Sequence, residues 1–241
     1  MADAHAAWDE VFDLDAMGSV AATALIDLTD QRAPRDLSYA WLSCHAQLLA
    51  DALVGGAGLK PQEVVAVLSE RNAEAIAGTL AIWRACAVYL PLESDAPAQR
   101  TRWALQDSRP ACVLVSAESS SWAILEGLNE HLPTALSLET GACLNRGSLI
   151  LRPCARLPKE CTHLMYTSGS TGRPKAVMGS RAGLTARFQW GWETHPFAEG
   201  EVCMAKTALT FVDSLWEIFG PLGKRVPLVL VPTDLLARPA A

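Results

Sequence analysis

The segment Tyr166-Thr167-Ser168-Gly169-Ser170-Thr171-Gly172-Arg173-Pro174-Lys175 concentrates more chemistry than any other ten residues of the chain. Gly169 and Gly172 carry no Cβ and can adopt positive φ, so the backbone there can wrap a ligand closely and turn its N–H groups inward. Hydroxyls from Thr167, Ser168, Ser170 and Thr171 add donors suited to phosphate oxygens. Lys175 supplies a point charge and Pro174 stiffens the exit. Apolar residues border the segment on both sides, Leu164-Met165-Tyr166 before and Ala176-Val177-Met178 after, which a flexible surface linker would not need. The pattern predicts a strand over 163–166, a turn that cradles a polyphosphate, and a short strand at 177–178.

Two better-known phosphate loops do not match. The P-loop requires Gly-Lys-Ser/Thr after its second glycine, and Gly172 is followed by Arg173-Pro174-Lys175-Ala176. The cluster Gly55-Gly56-Ala57-Gly58 lacks the third glycine of a dinucleotide fingerprint and reads as a helix stop.

Outward from the loop, helical and extended signals alternate in the way that builds α/β layers. Over 38–54, Trp41, Leu42, Leu48, Leu49 and Leu53 recur at helical spacing behind Ser38 as N-cap. Strands are predicted at 64–68, 88–92, 111–115 and 134–138, with helices at 73–85, 97–107 and 122–132. Residues 140–160 read as a connection without clear period. Beyond the loop follow a helix over 182–192, part of another at 215–219, and a last strand at 226–231.

Composition narrows the function classes. Half of the 241 residues are apolar, enough for a large core, and the net charge of −6 repels nucleic acid. Seven cysteines without a Cys-x-x-Cys pair argue against a disulfide framework and a zinc ribbon. Cys44, Cys86 and Cys112 read as small buried apolar residues. Met1 to Asp30 holds seven acidic residues and no Lys or Arg, the opposite of a targeting peptide. The apolar run 226–232 is short and interrupted by Pro227, so no membrane span is predicted and the expected location is cytoplasmic. His45 and His131 read as satisfied histidines, and Arg146, Arg152, Arg156 and Lys159 as a solvated basic stretch.

The loop resembles the signature of the adenylate-forming superfamily, which comprises acyl-CoA synthetases, luciferases and the amino-acid-activating domains of nonribosomal peptide synthetases. It departs from that signature only at Ala176, where the family usually has glycine. Leu37-Ser38-Tyr39 with its following helix is similar to the family's first motif. Trp83-Arg84-Ala85-Cys86-Ala87-Val88-Tyr89-Leu90-Pro91-Leu92-Glu93, with Pro97 and Arg100, is similar to its second. Phe211-Val212-Asp213-Ser214-Leu215-Trp216-Glu217 resembles the Phe-Asp-x-Ser-x-Trp-Glu segment of peptide synthetase domains. The resemblance implies an α/β fold, layered helices around a mostly parallel β-sheet, with residues 1–241 as the first part of an incomplete N-terminal domain. Its adenine, ribose and Mg²⁺ motifs and its C-terminal lid domain are expected to lie outside the chain.

That resemblance also implies roles. ATP phosphates would be bound by Thr167, Ser168, Gly169, Ser170, Thr171, Gly172 and Lys175, with Thr171 and Lys175 acting in catalysis and Mg²⁺ required. A carboxylic or amino acid would be activated as its adenylate, then passed to CoA or to the phosphopantetheine arm of a carrier protein. Val212, Asp213 and Trp216 would contact the acid. Val212 occupies the position where amino-acid-activating domains carry the Asp that pairs with the α-ammonium, and Asp213 lies one position late. Either the acid lacks an α-amino group, or a shifted geometry lets Asp213 reach a displaced amine; Asp213 as a simple helix cap is the structural alternative. A nucleotide-binding module without chemistry and an inactive remnant are the competing function classes.

Overall fold

The computed structural model describes residues 21–30, 32–116, 125, 133–145, 160–167, 173–232 and 235. Among them run β1 (Thr23–Asp27), β2 (Arg35–Ser38), α1 (Tyr39–Asp51), β3 (Val64–Leu68), α2 (Ala73–Arg84), β4 (Val88–Leu92), α3 (Ala98–Ser108), β5 (Cys112–Val115), β6 (Thr134–Ser137) and β7 (Cys143–Asn145). They continue with β8 (Cys161–Thr167), β9 (Lys175–Ser180), α4 (Arg181–Thr194), β10 (Cys203–Ala205), α5 (Asp213–Leu222) and β11 (Leu228–Leu230).

The described strands form two sheets. The larger has the order β7-β6-β5-β3-β4-β8-β9, parallel from β6 to β8 and antiparallel at both edges. The smaller, ordered β10-β11-β1-β2, is parallel except for β1 against β2. Every residue of β3, Val64-Val65-Ala66-Val67-Leu68, is buried. Its alternation splits the strand between two cores: Val65 and Val67 face one, and Val64, Ala66 and Leu68 the other. Because β4 returns to β5 on the far side of β3, right-handed crossovers place α2 and α3 on opposite faces. Accordingly Ile76 and Leu80 of α2 join the first core, and Ala104 and Leu105 of α3 the second.

The helix α2 shows why its sequence is apolar all round. Residues Ala73 to Trp83 are all buried, since α1 and the smaller sheet cover the side that faces away from β3. Its start is fixed by Asn72, whose side chain accepts from the Ala75 N–H at 2.8 Å. Ser38 caps α1 in the same way, accepting from the Trp41 N–H at 3.1 Å, as the sequence predicts. The helix then loosens into a wider turn over Ala52–Gly56 and stops near Gly58, whose φ is +69°.

Several expectations change. The smaller sheet is absent from the sequence reading, which found neither β1, β2 nor β10. Cys86 and Cys112 are buried, but Cys44 is exposed: on α1 the inward positions are 39, 42, 43, 46, 49 and 50, and 44 falls on the outer face. His45 bonds the Leu138 carbonyl at 2.8 Å and stacks on Trp41, a satisfied histidine. The expected helix over 122–132, His131 and the basic residues at 146–159 lie outside the described residues, Leu125 excepted. Among the described residues no helix is long and apolar enough to cross a membrane.

Candidate functional site

At the carboxyl edge of the larger sheet, β8 and β9 pair antiparallel with Met165 opposite Val177 and Thr167 opposite Lys175, so these two residues form the mouth of the signature loop. The Thr167 hydroxyl donates to the Lys175 carbonyl at 3.4 Å. Both side chains are exposed. Ser168, Gly169, Ser170, Thr171 and Gly172, which span the loop between them, lie outside the described residues.

The loop's first root is tied down. Tyr166 donates its hydroxyl to Asp107 Oδ2 at 2.7 Å and meets Trp103 edge-on at 5.7 Å, anchoring the end of β8 on α3. Next to it lies a cleft lined by Glu93, Arg100, Tyr166, Pro174 and Thr210. Glu93 follows β4, the parallel neighbour of β8, so the second motif and the loop leave the sheet at the same edge. Ligands of open α/β sheets bind outside this edge. Three segments separated by up to 117 residues thus converge. Across the cleft Glu93 Oε1 accepts from the Thr210 hydroxyl at 3.0 Å, joining the second motif to the segment that begins Phe211-Val212-Asp213.

That segment is held by side chains whose purpose the sequence did not disclose. Glu217, one turn into α5, accepts from the Thr207 N–H at 3.0 Å and also binds the Lys206 N–H and the Thr207 hydroxyl. Its carboxylate is therefore spent on the approach to the helix. Lys206 contributes its backbone to this clasp and exposes its side chain. The Ser214 hydroxyl donates to the Phe211 carbonyl at 2.7 Å, closing the turn ahead of the helix.

Val212 is the N-cap of α5, in helical geometry and without a side-chain cap bond. Asp213 is the first helical residue, so it does not cap the helix. Both are exposed, and Asp213 has no hydrogen-bond or ion-pair partner among the described residues. Because both residues are helical, one step between them turns the side chain by about 100° and raises it about 1.5 Å. Trp216 lies one turn further and is half-buried. Its indole stacks with Phe197 at 6.3 Å, leans on Phe188 at 6.1 Å, and carries the Arg187 guanidinium 4.8 Å above the ring. Tryptophan there is a wall between α4 and α5, with Asp213 and Val212 at the open end of the same helix.

Among the described residues no group of three His, Cys, Asp or Glu gathers to hold a metal ion.

Comparison with known proteins bears on the same segments. Residues 12–241 match the family described as AMP-binding enzyme. Phosphinothricin tripeptide synthetase PhsB of Streptomyces viridochromogenes is 32% identical over 205 residues, covering 83% of this chain and 16% of the synthetase. The beta-alanyl-bioamine nonribosomal peptide synthetase ebony of Drosophila melanogaster is 32% identical over 223 residues, covering 86% of this chain and 24% of its own length. The chain thus spans a minor part of these relatives. In three dimensions it is similar to apo MatB from Rhodopseudomonas palustris, with a TM-score of 0.73 at 23% identity, covering 98% of this chain and 48% of MatB. That likeness establishes the fold. The family match encloses all four motifs and the two sheets that carry them, and the chain belongs to the AMP-binding enzyme family.

Proposed function

We propose that the chain is the N-terminal part of an adenylation domain in an ATP-dependent, acyl-adenylate-forming ligase. The observation that carries this reading is the convergence of Tyr166, Pro174, Glu93, Arg100 and Thr210 on one cleft at the mouth of the signature loop. In the reaction an acid carboxylate attacks the α-phosphorus of ATP, the bond to pyrophosphate breaks, and a thiol of CoA or of a carrier-protein arm later displaces AMP from the acyl group. Negative charge builds on phosphate oxygens in the first step. Amides and hydroxyls of Thr167 to Gly172 and the Lys175 ammonium supply the donors and the cation that stabilise that charge.

The acid is an amino acid whose ammonium sits one carbon beyond the α position. Three things support this: Val212 cannot pair with an ammonium, Asp213 is exposed without a partner among the described residues, and the two side chains diverge by the helical step described above. Ebony, whose name specifies a beta-alanyl product, is a relative of this chain. An acid without an amine is the alternative outcome.

Acid-dependent pyrophosphate exchange tests both levels. It is measured with the chain alone and with the chain supplied with the segment of its relatives that it does not span. Exchange with β-amino acids is expected, reduced about 100-fold or more in Lys175→Ala. Asp213→Asn should lower kcat/KM for the amino acid about 30-fold or more, through loss of a charge pair. Exchange confined to keto, hydroxy or aryl acids would defeat the role of Asp213. No exchange with any acid would defeat the whole reading.

A further inference from the structure

Arg71 lies just past β3, outside every motif that marked the site, and is only 7% exposed. Buried arginines are retained where their fork meets fixed acceptors. Here Nη1 donates to the Thr207 carbonyl at 3.0 Å and Nη2 to the Val231 carbonyl at 2.7 Å. Those acceptors sit just beyond β10 and β11 of the smaller sheet, whereas Arg71 itself follows a strand of the larger one. The fork therefore reaches from one sheet to the other.

Thr207 is consequently gripped from both sides. Its carbonyl takes the Arg71 donor while its N–H and hydroxyl go to Glu217. Three residues on, Thr210 is held by Glu93. Burial works against the Arg71 charge, and the Glu217 and Glu93 carboxylates work for it, so cation and both anions belong to one electrostatic group. Its centre is the segment 206–213, which delivers Asp213. Glu93 lines the cleft at the loop mouth.

We infer that Arg71 is a positioning residue for acid recognition: its two carbonyl contacts, with Glu217 and Glu93, set where Asp213 and α5 stand relative to the cleft at the loop mouth. This rests on the proposed reading that Asp213 meets the acid. The nucleotide phosphates are bound by a loop rooted on β8, β9 and α3, elements that Arg71 does not bond. Loss of the fork should loosen acid recognition and leave ATP binding in place. Lysine cannot span two carbonyls at fixed separation, so Arg71→Lys should recover only part of the effect.

The test pairs kinetics with hydrogen exchange. In Arg71→Met, the KM for the acid is expected to rise about tenfold with the KM for ATP within about twofold, and Arg71→Lys to fall between. In the chain alone, amides of 207–215 should exchange about tenfold faster, with those of β3, β4 and β8 unchanged. Equal rises in both KM values, or uniformly faster exchange across all strands, would show that Arg71 serves general stability and overturn the inference. So would local loosening without a change in acid KM. If wild-type protein activates no acid, the proposed function fails. Hydrogen exchange then still decides whether Arg71 orders 206–213.

Discussion

Gly179 shows how one hydrogen in place of a side chain fixes the geometry of the loop mouth. It pairs with His163 across the β8–β9 ladder, and a Cβ built on it would meet three imidazole atoms at 2.0, 2.0 and 2.7 Å. The ring is buried at 6% exposure and bonds the Thr162 hydroxyl at 2.9 Å, so it has no room to retreat. Any methyl at 179 must push β9 away from β8, and Lys175 is on that strand. Gly179→Ala is expected to destabilise the chain by about 1–3 kcal/mol in urea denaturation, the usual range for overpacking. In a His163→Ala background the methyl has space, and the penalty should shrink by at least about 1 kcal/mol in the double-mutant cycle. Equal penalties in the two backgrounds would show that the ring is not what the glycine accommodates. The sequence names His163 and Gly179 but not that they are opposite each other, because register depends on pairing across a loop.

At the scale of elements, α4 and α5 approach closely because small residues admit Trp216 between them. A Cβ on Gly191 of α4 would meet the indole at 2.2 to 2.6 Å, and one on Gly220 of α5 at 2.8 to 3.1 Å. The indole therefore occupies a slot whose two sides are glycine. Gly191→Ala should evict it, with a cost of about 1–3 kcal/mol, a shifted tryptophan emission, and an acid KM raised about tenfold. Unchanged emission with unchanged KM would mean that Trp216 is not placed by this slot. The motif carrying Trp216 was legible, and so were β3, α2 and β4, because their signals are local: continuous apolar runs, an N-cap, a fixed ten-residue pattern. The smaller sheet was not legible. Only β11 was expected, as the strand at 226–231; β1, β2 and β10, of three to five residues, are too short for a period, and β1 finds its partner β11 some 200 positions away. Arg71 was missed for a related reason, since within Ser69-Glu70-Arg71-Asn72 it reads as a solvated turn residue until the fold brings Thr207 and Val231 to it.

At the scale of the molecule buried charge ties the smaller sheet to α2, and acidity should weaken the fold in two stages. Asp27 of β1, 1% exposed, accepts from Arg35 at 2.7 Å, from the Ala73 N–H at the start of α2 at 3.2 Å, and from Thr29 at 2.5 and 3.0 Å. Arg35 also forks onto Glu74 of α2 at 2.5 and 2.9 Å. Burial alone would raise the Asp27 pKa, but its hydrogen bonds together outweigh it and hold the carboxyl below its ordinary value. His163 is pushed down from 6.5 to about 4 by burial. Both groups take up protons more readily when unfolded, so both contributions are complete at neutral pH and lost on acidification. For His163 the window runs from pH 6.5 to about 4, and at about 1.4 kcal/mol per pH unit the loss is about 3 kcal/mol. For Asp27 it opens only near the ordinary value of 3.8 and continues below. Unfolding free energies measured in urea at pH 7, 5.5, 4 and 3 separate the two, at about one point per stage. His163→Gln should lower stability at pH 7 yet flatten most of the fall between 6.5 and 4. Asp27→Asn should cost about 1–3 kcal/mol at pH 7 and keep that fall, because it weakens the hydrogen bonds that the buried carboxylate accepts, one of them from the half-exposed Arg35, and leaves the imidazole untouched. If His163→Gln retained the wild-type slope between pH 6.5 and 4, burial of the neutral ring would not be the source of the acid sensitivity.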